Sequence, residues 1–177
     1  MKALIITGKY VTDCEYVYAF YRLLEAGYEV DVATPGMEIV FGVIGEKIIP
    51  TRGIPLMSEA RNYNLLILPG GAKAMEYLRQ DDDVLAFISA FCDTGGIIGS
   101  ICHAAQLLIS ANLVRGRKIS GYYSIKDDII NAGGTFVDAP AVVDGNIISS
   151  PHYKHLGPWM REVLRVVNVT ESLKRAP

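Results

Sequence analysis

Cys102 and His103 stand side by side at the end of an apolar run, residues 97–101, and these two residue types can attack a carbonyl carbon and carry its proton. Helical spacing begins directly afterwards, at Ala104, so the chain must turn sharply at the cysteine. A strand-to-helix turn of this kind lifts one side chain over the edge of a sheet, as a nucleophile elbow does. The following helix would aim its N-terminal N–H groups and positive dipole end at the sulfur, which favours thiolate over thiol. Free cysteine is also among the most buried residue types, so an inert core thiol is the plain alternative, and position alone leaves the two readings level. Cys92 lies inside a helical pattern and reads as core.

Other candidates share the same edge. Adjacent residues at a turn point in different directions, so His103 is not by default the base of Cys102 and is equally a surface imidazole. Glu15 falls in the first turn of the helix after the first strand, where a carboxyl can hydrogen-bond the sulfur with a pKa raised by partial burial. On the residues alone, an acid that merely complements the helix dipole is the simpler reading. Pro69-Gly70-Gly71 closes a strand, and glycine lets backbone approach a ligand closely. Amides of Gly71 and His103 would together form an oxyanion hole; a tight turn with no ligand is the alternative.

The elements that must position these residues alternate. Residues 3–7, 30–33, 65–68 and 97–101 are short apolar runs of buried-strand type. Helical spacing marks residues 13–26, 82–94, 104–111, 125–132 and 158–167, with glycine stops after several of them. A hairpin excursion is expected over 38–50 and a short strand over 118–120. Two late strands, 141–143 and 147–149, flank the turn signal Asp144-Gly145-Asn146. Such alternation predicts an α/β fold with a mostly parallel sheet and helices on both faces. Ligands then bind beyond the carboxyl ends of the strands, which puts Gly8, Gly70-Gly71 and Cys102-His103 at one edge. The chain reads as one domain over 1–170 with a frayed tail over 171–177.

Composition narrows the function. The 177 residues carry 17 Lys and Arg against 19 Asp and Glu, for a net charge of −2, with the signs interleaved. Arg115-Gly116-Arg117-Lys118 is a short basic turn, so no nucleic-acid partner is expected. No apolar run approaches the length of a membrane span or a secretory core, so no membrane partner is expected. Three cysteines without a CxxC pair fit a reducing compartment, and a cytoplasmic protein is expected. His152 and His155 lack a third ligand and read as rim or surface residues, so no metal and no cofactor is expected.

Taken in order, Asp13-Cys14-Glu15, Leu68-Pro69-Gly70-Gly71, Ser100-Ile101-Cys102-His103, Leu113-Val114-Arg115-Gly116-Arg117-Lys118, the segment from Ile125 to Gly133, and Val142-Val143-Asp144-Gly145-Asn146 resemble the DJ-1/PfpI family of the class I glutamine amidotransferase-like superfamily. The resemblance runs from the first strand to about residue 167, and the Ser-Ile-Cys-His and Lys-Asp-Asp blocks point to the PfpI branch. It implies a flavodoxin-like three-layer sandwich, a strained Cys102 at the elbow, and Glu15 hydrogen-bonded to its sulfur. In the peptidase-like branch a triad joins the cysteine, the next histidine and a glutamate of a neighbouring subunit; here these are Cys102, His103 and Glu76. One extra residue separates Gly71 from Glu76, and Tyr122 matches a pocket tyrosine of that branch. Residues 150–155, Ser-Pro-His-Tyr-Lys-His, depart from the family, which often has an Arg or a Pro-Asp pair at this part of the rim.

The resemblance implies a small carbonyl or peptide substrate and a homodimer or homohexamer. A cofactor-independent glyoxalase or deglycase on small reactive carbonyls comes first. An intracellular cysteine peptidase with a triad completed across an oligomer interface comes second. A redox-sensing or chaperone-like protein with an oxidisable Cys102 is the third, from a different class. An isonitrile hydratase fits less well, because that branch resembles an elbow without the histidine.

Overall fold

Apolar runs with almost no polar interruption become the inner strands of a parallel sheet, because both of their faces are covered. The structure, a computed structural model, describes residues 1–175. In chain order it contains β1 (Lys2–Ile6), α1 (Asp13–Glu25), β2 (Glu29–Ala33), β3 (Val40–Phe41), β4 (Lys47–Ile48), β5 (Leu65–Leu68), α2 (Ala72–Leu78), α3 (Asp82–Asp93), β6 (Ile97–Ile101), α4 (Ala105–Ser110), β7 (Lys118–Ile119), α5 (Lys126–Asn131), β8 (Thr135–Phe136), β9 (Val142–Asp144), β10 (Ile147–Ser150) and α6 (Leu156–Arg175).

The main sheet has the order β2-β1-β5-β6-β10-β9. Every neighbouring pair is parallel except the last, in which β9 turns back antiparallel on β10 through the expected Asp144–Asn146 turn. Helix α6 lies along β6 and β10 and against α1, while α2 and α3 group with α4. This is the expected flavodoxin-like α/β sandwich. Its core is built from β1, β5, β6 and β10, whose Leu4, Ile5, Ile67, Ile98 and Ile148 are fully buried. Trp159 of α6 is fully buried too, and its indole N–H donates to the Ile148 carbonyl at 3.3 Å.

Two differences from expectation have local causes. Helix α2 follows Gly71 with no side-chain cap and spans 7 residues, so the Gly-Gly pair reads as a stop where a helix in fact starts. Helix α6 starts at Leu156 and continues to Arg175, so the segment set apart as a tail is helical as far as the structure describes it; residues 176 and 177 lie outside the described residues. Glu171 in that segment accepts a hydrogen bond from the Asn64 side chain at 3.4 Å, which ties the helix end to the foot of β5.

The β3–β4 hairpin is fastened to the loop that feeds α1. Asp13 accepts from the Ile44 and Glu46 amides at 2.9 and 2.7 Å, and the Tyr10 amide donates to the Phe41 carbonyl at 2.7 Å. These bonds fix the start of α1, and with it the position of Glu15, two residues along.

Candidate active site

The sheet order reverses between β1 and β5, and in open α/β sheets the crevice at such a point receives ligands. Three connections meet there: β1 to α1 brings Glu15, β5 to α2 brings Gly70 and Gly71, and the end of β6 brings Cys102.

Cys102 has φ +61°, a left-handed conformation that a side chain adopts only at a cost of about 1–3 kcal/mol. The cost is held by its surroundings: its carbonyl accepts from the Tyr122 amide at 3.0 Å, and its side chain is 5% exposed. The strained elbow expected from the sequence is therefore present. The expected lowering of its pKa is not. Cys102 opens a 3-10 turn, Cys102–Ala104, and α4 has only 6 residues, so the helix dipole at the sulfur is weak. Burial and the neighbouring Glu15 carboxylate push the thiol up, outweighing the His103 and Gly71 amides that hydrogen-bond the sulfur and favour its anion.

Glu15 is fully buried. Its Oε2 accepts from the Gly70 amide at 2.7 Å, and Oε1 is buried without an N–H or O–H partner. Burial pushes the carboxyl up to about 7, against the hydrogen bonds from Gly70 and Cys102 that favour its charge. Near neutral pH Glu15 thus exchanges a proton far more readily than an ordinary carboxyl would, and Cys102 is the polar group beside it. A protonated Glu15 ceases to repel a thiolate and donates to it instead.

His103 belongs to the site of its own chain, since its Nδ1 lies 3.3 Å from Cys102 Sγ. Burial lowers its pKa, so near neutral pH it is a neutral imidazole. The other ring nitrogen, Nε2, lies 3.4 Å from the Ser124 hydroxyl. Sequence reasoning missed Ser124, and its only signal was its place two residues after Tyr122. Tyr122 stacks on His103 with ring centroids 4.5 Å apart.

The remaining expected site residues divide. Gly71, at φ +107°, points its amide at the sulfur, and a Cβ there would meet the Tyr10 carbonyl oxygen at 2.7 Å. The amides of Gly71 and His103 thus both face the Cys102 sulfur. The Gly70 amide donates to Glu15, and the lack of a side chain at Gly70 is what admits Glu15 and Cys102 to one spot. Glu76 is exposed on α2, and its carboxylate pairs with Lys73 at 2.6 Å rather than with His103. A cleft of about 560 Å³ opens beside α2, with Gly8, Lys9, Glu38 and Tyr77 in its wall, and Cys102 is not part of it.

A parallel sheet of this order with a strained, carboxyl-paired cysteine after β6 defines an α/β protein of the nucleophile-elbow type. The DJ-1/PfpI family pattern matches residues 1–166, and the chain belongs to that family. It is 38% identical over 170 residues to deglycase PH1704 of Pyrococcus horikoshii, covering 94% of this chain and 99% of that one. Protein/nucleic acid deglycase 2 of Escherichia coli is 33% identical over 168 residues, covering 93% of this chain and 96% of the relative. Among solved structures, a two-domain protein of Anabaena variabilis with DJ-1/ThiJ/PfpI-like and ferritin-like domains superposes with a TM-score of 0.89 at 28% identity, over 94% of this chain and 48% of that one. Among the described residues, no helix is long and apolar enough to cross a membrane.

Proposed function

We propose that the protein is a cysteine-dependent enzyme acting on small reactive carbonyls, of the glyoxalase or deglycase type. The observation that carries this reading is the grouping of Cys102 Sγ with His103 Nδ1 at 3.3 Å and with a buried Glu15 whose carboxyl is pushed up to about 7. The sulfur adds to the aldehyde carbon of a 2-oxoaldehyde while its proton passes to His103, forming a hemithioacetal. A proton then leaves that carbon and is returned to the adjacent one, which converts the hemithioacetal into the thioester of a 2-hydroxy acid. Water hydrolyses the thioester and restores the thiol. The sum is 2-oxoaldehyde plus water giving 2-hydroxy acid, so carbon is oxidised and reduced within one molecule and no outside oxidant is consumed. In this reading Glu15 and His103, the proton-carrying groups beside the sulfur, move the protons, and the Gly71 and His103 amides stabilise the charge that develops on oxygen.

The relatives named as deglycases support the same class of chemistry. A peptidase reading takes the carboxylate on His103 from Glu76 of a neighbouring subunit; within one chain His103 Nε2 lies 3.4 Å from the Ser124 hydroxyl and Glu76 pairs with Lys73. The test is incubation with methylglyoxal in the absence of added thiol, with lactate measured. Lactate from the wild type and none from Cys102→Ala is the expected result; equal lactate from both proteins overturns the proposal.

A further inference from the structure

A continuous set of rings leads away from the reactive sulfur to the surface. His103 touches the sulfur, Tyr122 stacks on His103 at 4.5 Å, and His152 stacks on Tyr122 at 5.7 Å. Tyr153 lies 4.0 Å from His152, and Tyr123 lies 5.7 Å from Tyr122 and 6.3 Å from His152. Of the inner rings, His152 is buried and His103 and Tyr122 are half-buried, whereas Tyr123 and Tyr153 are 48% and 46% exposed and form the outer lip. His152 is held in place because its Nδ1 accepts the Lys154 amide at 3.2 Å.

We infer that this aromatic ladder is a specificity subsite that receives the uncharged aryl or similarly planar group of a carbonyl substrate whose aldehyde carbon lies at Cys102. The inference rests on the carbonyl reading above and names the substrate class within it. An anionic substituent is disfavoured on the ring faces, which present negative charge, and the Lys154 ammonium is exposed to solvent, where it is screened. A cationic substituent is disfavoured as well, because Lys154 lies close enough that its charge, after burial, helps depress the pKa of His152. His103 and His152 are both lowered, so neither offers a standing positive charge near neutral pH. What remains is a set of neutral faces, against which a flat apolar ring stacks in offset or edge-to-face geometry.

Two reagent pairs test this. Phenylglyoxal and methylglyoxal differ only in phenyl against methyl, and their turnover is read from initial rates of mandelate and lactate. The haloketones 2-bromoacetophenone and bromoacetone differ in the same way and alkylate Cys102 without any turnover; each rate, read by mass, is divided by its rate with free cysteine. In both pairs the wild type should favour the aryl member by about tenfold, the size of one good aromatic contact. That ratio should fall several-fold in Tyr123→Ala and Tyr153→Ala, survive in Tyr153→Phe, and stay unchanged in Tyr21→Ala, which alters an exposed tyrosine of α1. A wild-type ratio near one, or a ratio unmoved by both alanine variants, overturns the subsite. Lactate formation together with a ratio near one removes the subsite and leaves the enzyme reading intact. Aryl-selective alkylation without lactate removes the enzyme reading and leaves the subsite.

Discussion

Two of the three cysteines are buried to nearly the same degree, Cys92 at 8% and Cys102 at 5% exposure, yet their surroundings have nothing in common. Cys92 sits on the last turn of α3, in ordinary helical backbone, and its polar neighbour is the Asn146 amide at 3.5 Å. Cys102 sits at φ +61° with an imidazole, a carboxyl and two backbone amides around its sulfur. Burial therefore says little about reactivity. What separates the two is the number of groups able to give or take a proton, and a backbone strain that only the elbow maintains.

The contrast is broken most sharply by exchanging each thiol for a methyl group. Cys102→Ala should lower kcat/KM for methylglyoxal on the order of 10³-fold or more, since the bond-forming atom is gone. Steady-state lactate formation checks this, and residual activity within tenfold of wild type would place the nucleophile elsewhere.

Glu15→Gln comes next. It keeps an oxygen for the Gly70 amide but removes the titrating proton, and a loss on the order of 10²-fold in kcat is expected. The same variant sharpens the electrostatic side. Glu15 has a folded pKa of about 7 against an ordinary 4.5, so between these values the unfolded chain gives up a proton that the folded chain keeps. The folded state binds more protons, and stability therefore falls as pH rises through that window. The contribution is complete below pH 4.5 and gone above about 7, and amounts to at most about 3 kcal/mol. Urea unfolding across this range should show the fall in the wild type and lose it in Glu15→Gln.

Gly70→Ala tests the room that the elbow needs. A Cβ there would lie 2.7 Å from the Ile101 carbonyl oxygen, 2.8 Å from Cys102 Cβ and 2.9 Å from Glu15 Oε2. Overpacking of this kind costs about 1–3 kcal/mol, and it should appear in denaturant unfolding together with a loss of activity, because Glu15 and Cys102 are pushed apart.

Much of this site was legible in the sequence because it depends on where short apolar runs end. The run 97–101 followed by helical spacing located the elbow, and the run 65–68 followed by Gly70-Gly71 located the facing turn. What the sequence could not show depends on distance through space. The sign of the Cys102 pKa shift turns on a carboxyl 87 positions earlier and on how short α4 is. The true partner of the Gly70 amide is likewise remote in sequence, at a separation of 55. Tyr123 and Ser124 reach the site from a single 3-10 turn and His152 from the start of another, elements too short for any periodicity to announce which side chains will meet. Helix α2 was invisible for a local reason, since a Gly-Gly pair marks turns more often than helix starts.

The smallest effect completes the comparison. Cys92→Ala removes one buried heavy atom and the 3.5 Å contact between Asn146 Nδ2 and the sulfur. Asn146 is not left wanting, because the same amide nitrogen donates to the Gly96 and Cys92 carbonyls at 2.9 and 3.3 Å, and its Oδ1 accepts from Arg117 at 3.3 Å. No polar group is stranded, so the cost reduces to lost packing, about 1 kcal/mol. In a domain of this size that corresponds to a fall in Tm of about 2–4 °C, measurable by calorimetry. Lactate formation should stay within about twofold of wild type, since no group around Cys92 carries protons for the reaction. A much larger loss of activity would mean that α3 and the β9–β10 turn, joined through Asn146, govern the elbow from a distance, and the separation between an inert thiol and a reactive one would no longer be local.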